Sequence, residues 1–197
     1  MAHLAPVLPP VGYFTQFTQP EPETIVLKEK VLSITGDSFS IKTVGGIPLF
    51  QVEGKVMSLS GRKKVRDMQG NHLFDICKEH FHIHTTFAIK GPDDKKIMQV
   101  KSKFKLFGSE AIATFTSTTT GQDEVLTMKG NFFDTTANIT DEAKNGIVVA
   151  RIDRKLLSGK DIIFGQQTYA VQIAPNVDKA LIAAMCICLD EKKNEGS

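Results

Sequence analysis

The chain has 197 residues, 41% of them hydrophobic and 23% charged, with a formal net charge of +2. This is the size and balance of a single globular domain that buries a core without disulfide staples. The charge is too slight to imply nucleic acid, so any basic site has to be a local cluster.

The first residues stand apart from the rest. Pro6, Pro9, Pro10, Pro20 and Pro22 are five of the eight prolines. Proline fixes φ and removes a donor, which predicts an extended, irregular arm over residues 1–23 with Glu21-Pro22-Glu23 at its boundary. Val11, Tyr13, Phe14 and Phe17 can pin this arm to the body, and pinning and disorder both stand as readings. Met1-Ala2-His3-Leu4-Ala5-Pro6 lacks the basic and apolar regions of a secretory signal, and Ala2 excludes N-myristoylation. The expected location is cytoplasmic, peripheral to a membrane at most, which makes the Asn138-Ile139-Thr140 glycosylation pattern a chance match.

From Thr24 the apolar period becomes two. Ile25-Val26-Leu27, Val31 to Ile34, Phe39 to Lys42, Pro48 to Gly54 and Val56 to Ser60 read as short strands, with turns at Gly36-Asp37 and Gly45-Gly46. Val65 to Met68 and His72 to Cys77 flank Gln69-Gly70-Asn71, a hairpin signal in which Gly70 and Asn71 can take positive φ. Phe81 to Ile89 and Ile97 to Phe107 flank the turn cluster Gly91-Pro92-Asp93-Asp94. Ala111 to Thr118, Val125 to Gly130, Phe132 to Ile139, Ile147 to Ile152 and Phe164 to Ile173 continue the pattern, with Asp141 to Asn145 as a polar loop or one short turn. About twelve strands at roughly ten-residue spacing predict an antiparallel sandwich or barrel.

The chain then changes character. Ala180 to Leu189 is apolar on every side, so a helix there has to be buried all round. Its length, about 15 Å, is too short for a bilayer, which takes roughly 20 apolar residues. Pro175 closes the last strand, Asn176 is a candidate cap, Asp178 suits the positive helix start, and Lys192-Lys193 suit the negative finish. The tail 192–197 is expected to fray. A barrel abolishes exposed edges but needs filling, and one apolar helix is a sufficient filling. The predicted fold is mainly β: a closed antiparallel β-barrel of about twelve strands, residues 24–191, around a central hydrophobic C-terminal helix. Cys186 and Cys188 lie two apart on that helix and point to different sides, and with Cys77 they read as small core residues in a reducing compartment.

Tyr169-Ala170-Val171-Gln172-Ile173-Ala174-Pro175-Asn176-Val177-Asp178-Lys179-Ala180-Leu181-Ile182-Ala183 resembles the C-terminal signature of the LURP-one-related family, where a Pro-Asn/Gly-Val-Asp element opens a buried helix. Phe39-Ser40-Ile41-Lys42 with Leu49-Phe50-Gln51-Val52-Glu53-Gly54 is similar to that family's opening, and Arg62 to Asp67 with Gly70-Asn71 resembles its next hairpin. The likeness spans about residues 24–191. It implies a twelve-stranded barrel related in fold to the tubby C-terminal domain and, more remotely, to phospholipid scramblases. It implies no catalytic residues. Tubby relatives bind phosphoinositide head groups through basic side chains on the barrel surface, and none of those residues is carried over to this chain.

Two basic clusters are candidates for anion or lipid binding. Lys101, Lys103 and Lys105 share one strand face at about 7 Å spacing. Three amines in a row repel unless anions sit among them, so the ladder can hold phosphates; the plainer reading is an exposed strand kept soluble by lysine. Arg62, Lys64 and Arg66 alternate with Lys63 and Val65, and a guanidinium fork suits phosphate; the plainer reading is again a solvated turn and strand. His80, His82 and His84 alternate along one strand, with His72 expected on a neighbouring one. A line of imidazoles makes no tetrahedron, so a polar or pH-sensitive face is expected and no metal. Glu110, Asp123 and Glu124 sit at likely turns, where charge is ordinary. No nucleophile elbow, phosphate loop or dinucleotide fingerprint is present.

The expected function is a monomeric, non-enzymatic binding module without cofactor, docking on membrane phosphoinositides or other anionic ligands. The alternative is a protein–protein scaffold using the arm or an exposed strand. A lipid-moving role would need a membrane-inserting segment, and the one strongly apolar run is already required by the core.

Overall fold

The computed structural model describes residues 4–28, 38–54, 62–79, 84–104, 109–130, 136–153 and 168–194. Twelve strands follow one another in order: β1 (Glu23–Lys28), β2 (Phe39–Thr43), β3 (Pro48–Gly54), β4 (Lys63–Asp67), β5 (His72–Glu79), β6 (Thr86–Lys90), β7 (Lys96–Phe104), β8 (Ser109–Thr116), β9 (Asp123–Gly130), β10 (Thr136–Asp141), β11 (Ile147–Asp153) and β12 (Thr168–Ile173). Each pairs antiparallel with its sequence neighbour, and β1 closes on β12 from Glu23–Ile173 to Lys28–Thr168, so the sheet is a closed barrel. The helix α1 (Lys179–Asn194), the one long helix among the described residues, fills it. Every residue from Ala180 to Leu189 is at most 4% exposed. Among the described residues no helix is long and apolar enough to cross a membrane. The expected strands Val31 to Ile34 and Val56 to Ser60 lie outside the described residues.

Antiparallel order gives the barrel two distinct ends. At the near end, β12 hands the chain to α1 through 174–178, alongside the turns 44–47, 68–71, 91–95, 117–122 and 142–146. Local chemistry makes these turns. Gly70 takes φ +85° while the Asp67 carboxylate accepts from the Gln69 and Asn71 amides; Asn71, the other candidate for positive φ, does not adopt it. The 141–145 segment is one 3-10 turn, Glu142–Lys144, closed by Asn145 at φ 56°.

Period-two alternation sets which side chains fill the barrel. Phe74 and Ile76 of β5, Met98 and Val100 of β7, and Ala111 and Ala113 of β8 are buried against the helix. A buried Ile, Met or Phe contributes about 1.5–3 kcal/mol over exposure. Small Ala111, Ala113 and Ala150 in the wall and Ala180, Ala183 and Ala184 on the helix leave room for the larger side chains.

The proline-rich arm is packed across the near end. Leu4, Val7 and Val11 are buried. Val7 N–H donates to the Pro175 carbonyl, Val11 N–H to that of Asn176, and Asp178 N–H to that of Val11, a parallel bridge of Val11 with Val177. Phe14 stacks on Phe74 and Phe17 meets Phe50 edge-on.

Candidate functional site

The helix cap is the first point where residues distant in sequence converge. Asp178, not Asn176, caps α1: its Oδ1 accepts from Ala180 N–H at 2.8 Å and Leu181 N–H at 3.4 Å. Asn176 instead takes the left-handed turn, φ 65°, that aims the chain into the barrel. The other carboxylate oxygen of Asp178 accepts from Phe14 N–H at 2.7 Å and Tyr13 N–H at 3.0 Å, so one side chain ties arm to helix. A Cβ on Gly12 would collide with Asp178, which explains the glycine. Burial pushes the Asp178 carboxyl up to about 6, against the pull of these four amides.

A second buried polar group sits at the same end. Glu124 was expected at a charged turn, but alternation on β9 turns it into the barrel, where it is 1% exposed. Lys144, folding back from the 3-10 turn, donates to Glu124 Oε1 at 2.6 Å and Asp141 Oδ2 at 2.9 Å. Burial raises the Glu124 pKa, and its Oε2 has no hydrogen-bond partner. Burial alone would lower Lys144, but the hydrogen bonds to Glu124 and Asp141 outweigh it and hold its pKa above the ordinary lysine value.

The far end is fastened differently. Lys63 points inward from β4 and pairs with Glu191 in the last turns of α1, while Tyr169 Oη donates to Asp190 Oδ2 at 2.7 Å. A cation beside a helix C-terminus meets the negative end of the dipole. Burial raises the neighbouring Cys188 thiol well above the ordinary cysteine value.

On the outer wall the two basic clusters differ. Arg62 reaches Asp75 at 2.6 Å and Asp94 at 3.2 Å, and the hydrogen bond to Asp75 raises its pKa. Arg66 reaches Glu53 at 3.0 Å and the Gly70 carbonyl at 3.0 Å. Lys64 lies on the same outer face, opposite Glu53 and Asp75 in the ladder. The β4 guanidinium groups are thus committed to carboxylates. Lys101 is different: it is exposed on β7 with Thr86 and Ile112 as ladder neighbours. Lys103 follows on the same β7 face, paired in register with Glu110; the Lys103 side chain and all of Lys105 lie outside the described residues. With β5 and β6 between them, β4 and β7 are roughly 14 Å apart, so the clusters share a wall without meeting. Over the near-end part of β7–β9, and not lined by Lys101, lies an open depression of about 490 Å³ with Lys96 and Asp123 on opposite margins.

His72 begins β5. It lies 3.1 Å from Asp75. His84 is exposed, while His80 and His82 lie outside the described residues. Among the described residues no group of three or more His, Cys, Asp or Glu is placed to hold a metal.

The family model described as LURP-one-related matches residues 23–190, nearly the whole barrel and its helix. The chain belongs to the LURP-one-related family. Protein LURP-one-related 15 of Arabidopsis thaliana is 22% identical over 91% of this chain and 84% of its own length. Protein LURP-one-related 10 is 22% identical over 92% and 95%, and Protein LURP1 21% over 92% and 89%, both also from Arabidopsis thaliana. An X-ray structure of an Arabidopsis thaliana protein superposes with a TM-score of 0.57 at 17% identity, covering 91% of this chain and 96% of its own, which shows the shared fold.

Proposed function

We propose that this LURP-one-related protein is a non-enzymatic binding module that docks, from the cytoplasmic side, on anionic lipid head groups of the phosphoinositide kind. The observation that carries this reading is the exposed Lys101, whose ladder neighbours are uncharged, followed on the same face by Lys103 and in sequence by Lys105. Lys64 supplies a further cation on the same wall, and Arg62 and Arg66 contribute only where a head group displaces their carboxylates. Each basic residue near an anionic surface adds about 1 kcal/mol, so attachment is weak and screened by salt. Sedimentation with phosphoinositide-containing vesicles at two salt concentrations tests it. Binding should fall as salt rises, and K101A/K103A/K105A should weaken it by about a hundredfold. Binding undiminished in that variant would overturn the assignment.

A second reading, protein–protein docking, draws on the near end. Leu8 of the arm, Val44 and Ile47 of the β2–β3 turn and Met68 of the β4–β5 turn are the large exposed hydrophobic residues among those described. This reading expects no vesicle binding and a discrete partner lost on I47D.

A further inference from the structure

The barrel wall has a seam. β1 pairs with β12 along its whole length but with β2 only at Ile25–Thr43 and Val26–Lys42. Continued in register, Leu27 would face Ile41 and Lys28 would face Ser40. Instead β2 stays with β3, through Phe39–Val52 and Ser40–Gln51, and parts from β1. A cleft of about 210 Å³ opens between them.

The lining divides by chemistry. Leu27 and Phe39 are both on the core-facing side of their strands; Leu27 is buried beneath the cleft and half-buried Phe39 supplies its apolar floor. Lys28 stands on one lip and Lys42 on the other, both exposed, with Ser40 and Thr168 beside them. Neither lysine forms an ion pair among the described residues. Lys42 sits opposite Val26 at the base of the wedge and Lys28 two residues further along β1, so the two cations stand diagonally across the slot, where they repel and an anion between them removes that repulsion. An apolar floor under such a pair adds affinity for alkyl carbon.

We propose that the β1–β2 cleft binds an anionic amphiphile, its phosphate or carboxylate head between Lys28 and Lys42 and its first few methylenes over Phe39. The size limits the ligand. The cleft is smaller than the roughly 300–1,000 Å³ of sites that enclose a drug-sized molecule, so it takes a head and a short stem, not a whole lipid. A peptide strand does not fit. Inserting one takes about 4.8 Å on each side, and the strands are still hydrogen-bonded at Val26–Lys42, at the base of the wedge. The site lies on different strands from the Lys101 ladder and stands or falls separately from it.

Calorimetric titration of the full chain with hexyl phosphate, inorganic phosphate and hexanol tests the assignment. Hexyl phosphate should bind at least about tenfold more tightly than either fragment, because only it uses both floor and lips. K28A/K42A should weaken it by about tenfold or more through lost charge, and S40W should do the same by filling the slot with the lysines in place. Equal affinity for inorganic phosphate, no binding of hexyl phosphate, or affinity within about twofold of wild type in either cleft variant would overturn it. Vesicles carrying a phosphate-headed lipid distinguish the source. If K28A/K42A lowers their binding alongside that of hexyl phosphate, the ligand is membrane lipid; if not, a free soluble amphiphile.

Discussion

The two ends of the barrel hold the same helix by different means. At the near end the fastening is backbone: the arm's amides and the helix's first amides all converge on the Asp178 carboxylate, with Glu124, Lys144 and Asp141 buried nearby. At the far end it is side chain to side chain, Lys63 to Glu191 and Tyr169 to Asp190. A helix start exposes N–H groups that one carboxylate can collect, whereas a helix finish exposes carbonyls and needs donors from the wall. The near end is therefore expected to depend on pH and on the arm, and the far end on an exchangeable ion pair.

The largest expected effect breaks the near end. D178A removes the acceptor for four amides that are otherwise without one, and should cost about 4 kcal/mol in urea denaturation. It should also expose the Tyr13 and Phe14 amides to hydrogen exchange while α1 stays protected. D178N should cost less but not recover wild type, because its amide group opposes two N–H donors with a donor of its own. If both variants match wild type, the arm is held by its buried Leu4, Val7 and Val11 alone.

The far end should give a smaller and more repairable loss. K63A leaves Glu191 without its partner and should cost about 2 kcal/mol. Replacing both charges in K63M/E191Q should return stability to within about 1 kcal/mol of wild type, since an apolar residue can occupy the inward position. A double variant as unstable as K63A would show that the pair positions the helix end.

The pH dependence sharpens the contrast. Burial raises the Glu124 carboxyl above its ordinary value, and Asp178 is raised to about 6. A raised carboxyl binds its proton more tightly in the folded chain than in the unfolded one. Its stabilising contribution is therefore complete at low pH and is lost as pH rises through the folded value. Denaturation midpoints should accordingly fall from about pH 4 toward neutrality. E124Q should flatten that slope, because the Gln oxygen still accepts from Lys144 and no proton is left to lose.

What the sequence discloses follows from how local each cause is. The helix is legible because ten consecutive apolar residues have no other place, and the strands because alternation is written every second residue. Turns such as 67–71 are legible because Asp67 and Gly70 act within four residues. The cap falls on Asp178 because Asn176 is spent on the left-handed turn, and the second use of that carboxylate is illegible because its donors, Tyr13 and Phe14, lie more than 160 residues away. Arg62 and Arg66 look like free cations because their carboxylates are brought in from elsewhere, Glu53 and Asp75 by the neighbouring strands β3 and β5 and Asp94 by the β6–β7 turn. Glu124 reads as a turn residue, and the inward parity of β9 overrules that. The seam has no signature, since it is a pairing that stops.

The smallest effect on stability is expected on the outer wall. The Arg66–Glu53 pair is partly exposed, so E53Q should change folding by no more than about 0.5 kcal/mol. Its effect on binding should exceed that. Glu53 holds the Arg66 Nε and lies opposite Lys64, so neutralising it frees a guanidinium fork and removes a negative charge from the wall. Vesicle binding at low salt should therefore rise in E53Q and fall in K101A, while R66A alone changes little because its charge is already matched. Should R66A weaken binding as much as K101A, the carboxylates of the β4 wall yield to the head group, and the two clusters act as one surface.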